Sequence, residues 1–240
     1  MIKHNNSLRE NDMNNQDKLD FSTILATSAH DMKNSLFMLQ QSIETLDSAD
    51  NLSVKQHKDF ADLHYQTARI NGTLMQLLAL YRDEQNSLPV YIEEQSVKEV
   101  LVEVIDKNQL YLNCHDIKID FEVDEELLGY FDRDLITYLI GDIFVNALRH
   151  SKTRITLRAF FANDYLNIQV EDDGDGYPQH MLSVSENNQA DFNANKGRSG
   201  LGLLFAKKIA AEHKSKQLQG HILLENKQQS CGSIFTLRLP

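Results

Sequence analysis

Glycine and proline, the residues that most restrict where regular structure can run, are distributed very unevenly along this chain of 240 residues. Residues 20–86 contain one glycine and no proline, which favours long uninterrupted helices. Five of the ten glycines lie within residues 174–202. We therefore expect a helical domain over 20–86 and, from the Ser-Leu-Pro boundary onward, a second domain over 87–240. Residues 1–19, rich in Asn, Asp, Gln and Lys, are expected to be a disordered polar tail.

The composition excludes several classes of protein. Hydrophobic residues make up 41% and charged residues 25% of the chain, as in ordinary globular proteins. A formal charge of −11 disfavours direct binding to nucleic acid, which uses clustered Lys and Arg. No apolar run reaches the ~20 residues that span a bilayer, and no secretory signal is visible. We expect a cytoplasmic protein without membrane contact, whose Cys114 and Cys231 are reduced thiols.

Two apolar stripes with alternating steps of three and four residues predict two long helices. The first stripe comprises Phe21, Leu25, Ser28, Met32, Leu36, Leu39, Ile43 and Leu46, and the second comprises Phe60, Leu63, Thr67, Ile70, Leu74, Leu77 and Tyr81. Joined by a short break near Asp50, they form an antiparallel hairpin. Because one hairpin would leave much of its apolar face in water, we expect a homodimer with a four-helix bundle.

His30 is predicted to lie about 180° from the packing seam that Ser28 and Met32 define, and therefore to point outward. Asp31 is beside it in sequence, and Asn34 lies one turn further on the same face. A neighbouring carboxylate can hold one ring nitrogen protonated and leave the other free to act as a nucleophile. The alternative is a surface histidine without a role.

The second half predicts an α+β fold, because strands adjoin strands and helices are grouped apart from them. Ser96 begins a capping box, and Asp132 can cap a helix that continues to about Ala147. Residues 153–170 read as a hairpin, and two further strands close the chain.

Three clusters in this half carry chemistry. Asp142 and Asn146 share a helical face and offer oxygen ligands to a cation such as Mg²⁺, with Arg149 and His150 nearby to balance phosphate charge. Each cluster also has an alternative interpretation, which for this one is a solvated helix face.

The other two clusters are glycine-rich. The segment 172–176, Asp-Asp-Gly-Asp-Gly, follows a strand, so that backbone can approach a ligand and a carboxylate can accept a hydrogen bond from an exocyclic amine. The segment 197–203 begins a helix whose bare N–H groups can bind an anion. The alternatives are a tight turn or calcium loop for the first segment and an ordinary helix start for the second.

Taken together, the chain resembles the catalytic core of two-component sensor histidine kinases over about residues 20–240. The matching segments, in the family's order, are His30-Asp31-Met32-Lys33-Asn34-Ser35-Leu36 for the H-box, Asn146-Ala147-Leu148-Arg149-His150-Ser151 for the N-box, Asp173-Gly174-Asp175-Gly176 for the G1 box and Gly200-Leu201-Gly202-Leu203 for the G2 box. The resemblance implies a dimerisation and histidine-phosphotransfer hairpin followed by a Bergerat-type α/β sandwich of the GHKL superfamily.

The resemblance also implies roles for single residues. His30 would be the phosphoacceptor, Asp31 its acid/base partner, and Asn34 the residue that positions water for dephosphorylating a partner. Two departures from the family pattern are Ser35, where a proline is usual, and Asp142, where the N-box usually begins with Asn.

ATP and Mg²⁺ are the implied cofactors. Asn146 would bind Mg²⁺, and Asp173 would bind the adenine amino group. The remaining implied nucleotide contacts are Asp142, Arg149 and His150, then Gly174 and Gly176 beside the base, and Gly197, Gly200, Leu201 and Gly202 around the phosphates.

The implied function is a cytosolic ATP-dependent kinase that phosphorylates its own His30 and passes the phosphoryl group to an aspartate of a response-regulator receiver domain. It would also dephosphorylate that regulator, and a separate sensor or input protein is expected to supply the signal. The alternatives are a phosphotransfer or phosphatase module with a decayed ATP domain, and a GHKL-type regulator that acts without a histidine intermediate.

Overall fold

The computed structural model describes residues 31–32, 34–47, 52–83, 90–179, 181–182, 200–228 and 231–240, although not the side chains of 75–83 and 200–201. The described helices are α1 (residues 34–47), α2 (Val54–Asp83), α3 (Val97–Asp106), α4 (Gln109–Cys114), α5 (Arg133–His150) and α6 (Gly200–Glu212). The described strands are β1 (Glu93–Ser96), β2 (Lys118–Val123), β3 (Leu128–Phe131), β4 (Arg154–Ala162), β5 (Tyr165–Asp172), β6 (Lys214–Ser215), β7 (Leu218–Gln219), β8 (His221–Asn226) and β9 (Ser233–Leu239).

A five-stranded mixed sheet with the order β2-β4-β5-β9-β8 forms the centre of the second half. β2 runs parallel to β4, and the other neighbours are antiparallel. Helices α3, α5 and α6 cover one face of the sheet and share its apolar core. The largest wholly buried side chains include Phe131, Phe144 and Phe235. The predicted α+β fold of this half is thus confirmed.

Local side-chain chemistry begins two of these helices where the sequence predicts. The Ser96 hydroxyl accepts a hydrogen bond from the Glu99 N–H at 3.3 Å at the start of α3. The Asp132 carboxylate accepts one from the Leu135 N–H at 3.0 Å at the start of α5. Each bond satisfies an N–H group that the first helical turn leaves without a partner.

The predicted hairpin is also confirmed, with β4 extending to Ala162. Asn163 and Asp164 both adopt positive φ angles, 52° and 64°, which is the conformation of a tight two-residue turn between twisted strands. The small pairs β1–β3 and β6–β7, and the parallel pairing of β2 with β4, do not appear among the sequence predictions.

Helices α1 and α2 are joined side by side through polar contacts. His57 Nδ1 lies 2.7 Å from Asp47 Oδ1, and His64 Nε2 lies 3.2 Å from Glu44 Oε1. Five residues of the predicted seam are exposed, and they recur at intervals of seven on each helix: Met32, Leu39, Leu46, Leu63 and Ile70.

Another face of α2 packs against the sheet-containing half, mainly against α4, α5 and α6. The Tyr138 hydroxyl of α5 donates a hydrogen bond to the Gly72 carbonyl of α2. Tyr65 of α2 contacts Tyr111 of α4 with ring centroids 5.1 Å apart, and Tyr111 stacks on His115 at 4.0 Å. Among the described helices, none combines the length and apolarity required to cross a bilayer.

Candidate functional site

The C-terminal half of α5 presents one exposed edge. Asn146, Arg149 and His150 are exposed there, which leaves their polar groups available to a ligand. Asp142 is only partly exposed and faces α2, because a side chain on Gly72 would place its Cβ 3.3 Å from Asp142 Oδ1. The two residues expected to share a ligand face therefore differ in environment. Asn146 faces solvent, and Asp142 lies against α2.

The turn after β5 is held tightly to the C-terminal end of α5. A Cβ on Gly174 would overlap the carbonyl oxygen of His150, so only glycine permits this approach. Lys152 Nζ lies 2.7 Å from Asp175 Oδ1 and connects the same two segments. The structure thus brings the first two predicted clusters together, although they are separated by more than twenty residues of sequence.

Asp173, the predicted adenine-binding residue, has its carboxylate occupied by its own chain. It accepts hydrogen bonds from the Lys152 N–H at 2.7 Å, the Thr153 N–H at 3.1 Å and the Thr153 hydroxyl at 2.7 Å. Burial by itself would raise the pKa of Asp173, but these hydrogen bonds outweigh it and lower the pKa to about 2. The carboxylate is therefore ionised and fixes the loop between α5 and β4.

Asp172, which the sequence analysis did not select, is the buried carboxylate of this turn and is only 6% exposed. Its Oδ2 accepts a hydrogen bond from the Ser233 hydroxyl, and its Oδ1 accepts one from the Gly174 N–H at 2.7 Å. A signal for it was present in the sequence. Leu166, Ile168 and Val170 of β5 face the core, and Asp172 follows at the same period of two.

Two further glycines shape the surroundings of this carboxylate. Gly232 has a φ of 128°, and a Cβ on it would overlap the carbonyl oxygen of Asp172. Gly176 has a φ of 87°, and a Cβ on it would lie 2.9 Å from Asn226 Oδ1. Asn226 in turn bonds both backbone groups of Tyr177, at 2.6 and 2.9 Å. These contacts hold the backbone on both sides of Asp172.

The third predicted cluster is described only in part. Gly200 is the first residue of α6 and Gly202 is partly buried, while Gly197 lies outside the described residues. Leu201 lies in the same first turn, where only its backbone is described. Helix α6 has 13 residues, and its N-terminal N–H groups have no partner within the helix, which is the property that allows a helix start to bind phosphate.

The predicted phosphoacceptor, His30, also lies outside the described residues. Asp31 and Asn34 are helical and exposed on the same side of the chain's first helical segment. The Ser35 hydroxyl donates a 2.9 Å hydrogen bond to the Asp31 carbonyl. The helix continues through Ser35, the position where the family usually has proline.

In the described part of the chain, no group of three or more His, Cys, Asp or Glu residues could hold a metal ion. Mg²⁺ commonly uses one or two protein oxygens together with the phosphates of a nucleotide. The exposed amide of Asn146 suits that mode of binding, because it adds one oxygen ligand beside a phosphate group.

Comparison with known proteins finds an ATPase family and several histidine kinases that are similar to this chain. Residues 131–240 match the family described as "Histidine kinase-, DNA gyrase B-, and HSP90-like ATPase". The adaptive-response sensory kinase SasA of Crocosphaera subtropica is 26% identical over 97% of this chain and 63% of its own length. The signal transduction histidine-protein kinase AfsQ2 of Streptomyces coelicolor is 25% identical over 73% of this chain and 31% of its own length. The chain thus spans less than two thirds of either relative.

Solved structures show the same fold. The histidine kinase AdeS of Acinetobacter baumannii superposes with a TM-score of 0.57 at 19% identity, covering 86% of this chain and 95% of AdeS. Full-length ShkA, solved in complex with AMPPNP, superposes with a TM-score of 0.60 at 17% identity over 90% of this chain and 45% of ShkA. The match of residues 131–240 to the ATPase family and the relatives named as histidine kinases confirm the resemblance of the chain to the catalytic core of two-component sensor histidine kinases.

Proposed function

We propose that this chain is an ATP-dependent protein-histidine kinase that phosphorylates His30 and transfers the phosphoryl group to a receiver-domain aspartate. One observation carries the proposal: the exposed edge of α5 and the turn at Asp172 are in contact. Gly174 makes this contact possible, because it has no side chain to overlap with the His150 carbonyl. A buried carboxylate beside exposed Asn146 and Arg149 offers an acceptor for a base amine together with polar groups for phosphate.

Asp172 is the better candidate than Asp173 for the adenine amino group. Its Oδ2 is oriented by Ser233, and a carboxylate oxygen can accept a further hydrogen bond through its remaining lone pair. The Asp173 carboxylate already accepts three hydrogen bonds from Lys152 and Thr153 of the loop between α5 and β4. Gly174 and Gly176 then flank the base by allowing the backbone of the turn to pack closely on His150 and Asn226.

The phosphates are assigned to the start of α6 and to the exposed edge of α5. Backbone N–H groups at Gly200 and Gly202 favour an anion, and Arg149 adds positive charge. Asn146 contributes an amide oxygen to Mg²⁺. When bound, ATP supplies the γ-phosphoryl group that His30 accepts.

Asp31 is assigned to the phosphorylation of His30, and Asn34 is assigned to the removal of phosphate from the receiver domain. The Asp31 carboxylate holds one ring nitrogen of His30 protonated, so that the other is free to attack phosphorus. The exposed Asn34 amide, one helical turn further, can orient a water molecule toward the phosphoaspartate of a docked receiver domain.

We further propose that the chain is a homodimer in which α1 and α2 of two copies form a four-helix bundle. Met32, Leu39 and Leu46 are each about half exposed in the single chain, as are Leu63 and Ile70. Apolar residues at a strict spacing of seven are typical of a seam between helices. A second copy covers this stripe and leaves the other face of α2 on the sheet-containing half.

The test is a phosphorylation assay with radiolabelled ATP and Mg²⁺ on the whole chain. The protein is expected to acquire a phosphate that acid removes and base does not, as a phosphohistidine requires. His30→Gln should abolish labelling. The matched control is His57→Gln, which changes a histidine of α2 that lies beside a carboxylate and should label normally.

Labelling of His30→Gln at the level of the unchanged protein would rule out His30 as the acceptor. An acid-stable phosphate would favour the regulator that acts without a histidine intermediate. Failure of the unchanged protein to bind MgATP in calorimetry would favour the module with a decayed ATP domain.

A further inference from the structure

His213 is the most deeply buried histidine among the described residues, with 1% of its surface exposed at the end of α6. Its Nδ1 lies 2.8 Å from the carbonyl oxygen of Ile209, which can only accept a hydrogen bond. Its Nε2 lies 3.1 Å from the backbone N–H of Asp132, which can only donate one. The two contacts require a neutral ring that carries its hydrogen on Nδ1 and accepts at Nε2.

These contacts connect two helices at their distal ends. Asp132 is the N-cap of α5, and its carboxylate also accepts a hydrogen bond from the Tyr91 N–H at 2.9 Å. His213 directly follows α6, and its carbonyl oxygen accepts a hydrogen bond from the Gly220 N–H at 2.8 Å. The histidine therefore links the start of α5 to the end of α6.

The same two helices meet again near their middles, where the rings of Tyr138 and Phe205 pack edge to face at 5.5 Å. The first contact joins the start of α5 to the end of α6, and the second joins residues further into both helices. The two helices are therefore antiparallel. Asn146 lies 14 residues after Asp132, and Gly200 lies 13 residues before His213. At about 1.5 Å per residue, both distances are close to 20 Å.

We propose that His213 is a positioning residue for the nucleotide, because its two ring nitrogens fix the axial register of α6 against α5 and hence the spacing between Gly200 and Asn146. This inference rests on the proposed function, in which those two residues bind phosphate and Mg²⁺. Because a helix is stiff along its axis, a shift of α6 at His213 moves its other end, at Gly200, by the same distance.

Protonation of His213 removes the hydrogen bond between its ring and the Asp132 N–H of α5. An added hydrogen on Nε2 would face the N–H of Asp132, donor against donor. Burial lowers the pKa of His213 from its ordinary 6.5, and the Ile209 carbonyl and the carboxylates of Asp132 and Glu212 offset this only in part. Lys214, 3.4 Å from Glu212, is the other charged group at this end of α6.

The direction of the pH effect follows from that shift. The neutral ring is favoured in the folded state, so its stabilisation is complete above pH 6.5 and is lost as the pH falls below that value. Nucleotide affinity is expected to fall at a lower pH than 6.5, where the ring of the folded chain takes up its proton, because the register of α6 then loosens before the whole domain unfolds.

The experiment measures MgATP binding by calorimetry in the unchanged chain, His213→Gln and His213→Phe, at one pH unit above 6.5 and at the lowest pH at which melting shows the chain to be folded. Glutamine supplies an oxygen near the Nε2 position and does not titrate. It should bind as the unchanged chain does at the higher pH and should lack the additional acid loss. That loss in the unchanged chain is expected to be about three- to tenfold, the value of one neutral hydrogen bond.

His213→Phe should bind about three- to tenfold more weakly at both pH values. The matched control is His221→Gln, which changes a histidine of β8 that packs on Tyr165 and has no bond to α5 in the described structure. It should retain the behaviour of the unchanged chain. Melting curves at each pH establish which variants remain folded, and the glutamine variant alone suffices if phenylalanine does not fold.

Some results would contradict the positioning role of His213, and another would contradict the proposed kinase function itself. If the unchanged chain and His213→Gln lose the same affinity in acid, or a folded His213→Phe binds normally, His213 has only a structural role. If the unchanged chain binds no MgATP at either pH, the proposed kinase function itself fails.

Discussion

The helical pair and the sheet-containing half use different sources of stability. The sheet half encloses wholly buried aromatic side chains such as Phe131, Phe144 and Phe235. The helical pair is joined by histidine–carboxylate contacts, and its apolar seam at Leu63 and Ile70 is exposed. Buried apolar area contributes most of the stability of a domain. The sheet half therefore has an apolar core of its own, whereas much of the apolar seam of the helical pair is exposed in the single chain.

Helix α2, which contacts the sheet-containing half, does not have all of its buried polar groups hydrogen-bonded. Within the described residues, the Tyr65 hydroxyl and Asn71 Oδ1 on α2 are buried without a hydrogen-bond partner. Each such group costs about 1–3 kcal/mol compared with a satisfied one. An interface that tolerates these costs is suited to opening, which the proposed kinase activity requires if the ATP domain is to reach His30.

The largest effect on stability is expected from Phe144→Ala. Removing a wholly buried ring should lower the free energy of unfolding of the sheet half by about 3–5 kcal/mol. Denaturant unfolding measures it, with Phe161→Ala as a control, because Phe161 is 59% exposed and should change stability by less than about 0.5 kcal/mol. Equal losses in the two variants would contradict the assignment of the core to this half.

A smaller effect, confined to the helical region, is expected from replacing Leu63 and Ile70 together by serine. Each apolar side chain covered in a dimer contributes about 1.5–3 kcal/mol, so the dimer should weaken at least about 100-fold. Sedimentation at several concentrations measures this. Val54→Ser, at an exposed position outside the stripe, should leave association unchanged. A double variant that associates normally would show that this stripe is not the dimer interface.

The adjacent carboxylates of Asp172 and Asp173 are expected to contribute differently to the affinity for MgATP. Asp172→Asn should weaken MgATP binding by about 10- to 100-fold, which corresponds to one charge-assisted hydrogen bond of about 1.5–3 kcal/mol. Asp173→Asn should cost less than about threefold, because that carboxylate bonds Lys152 and Thr153. Calorimetry on both variants decides between them, and a larger loss for Asp173→Asn would restore the original sequence assignment.

The smallest effect on stability is expected from Phe37→Ala. Phe37 is 58% exposed on α1, about one turn after Asn34, so its removal should change stability by less than about 0.5 kcal/mol. It should slow phosphotransfer to a receiver domain while autophosphorylation persists, since an exposed aromatic beside a reactive group is suited to docking. Thermal melting and transfer kinetics are measured together, and a large fall in melting temperature would place Phe37 in the bundle core instead.

Local patterns were sufficient for much of the fold. Ser96 and Asp132 cap helices whose first N–H groups lie three residues away, and the turn at Asn163 and Asp164 joins neighbouring strands. The β1–β3 pair was missed because its strands are short and more than thirty residues apart. The parallel pairing of β2 with β4 was missed because it depends on the packing of the intervening α5.

The sequence by itself determined the order of the motifs, the caps and the strand periods, because these depend on neighbours within a few residues. Only the tertiary structure decided that Ser233 bonds the Asp172 carboxylate, that Asp142 faces α2, and that the Asp132 N–H bonds His213. The partners that decide these points lie far along the chain: Ser233 is 61 residues from Asp172, Tyr138 is 66 from Gly72, and Asp132 is 81 from His213. No local pattern specifies such contacts, because burial and close approach arise only when the elements pack.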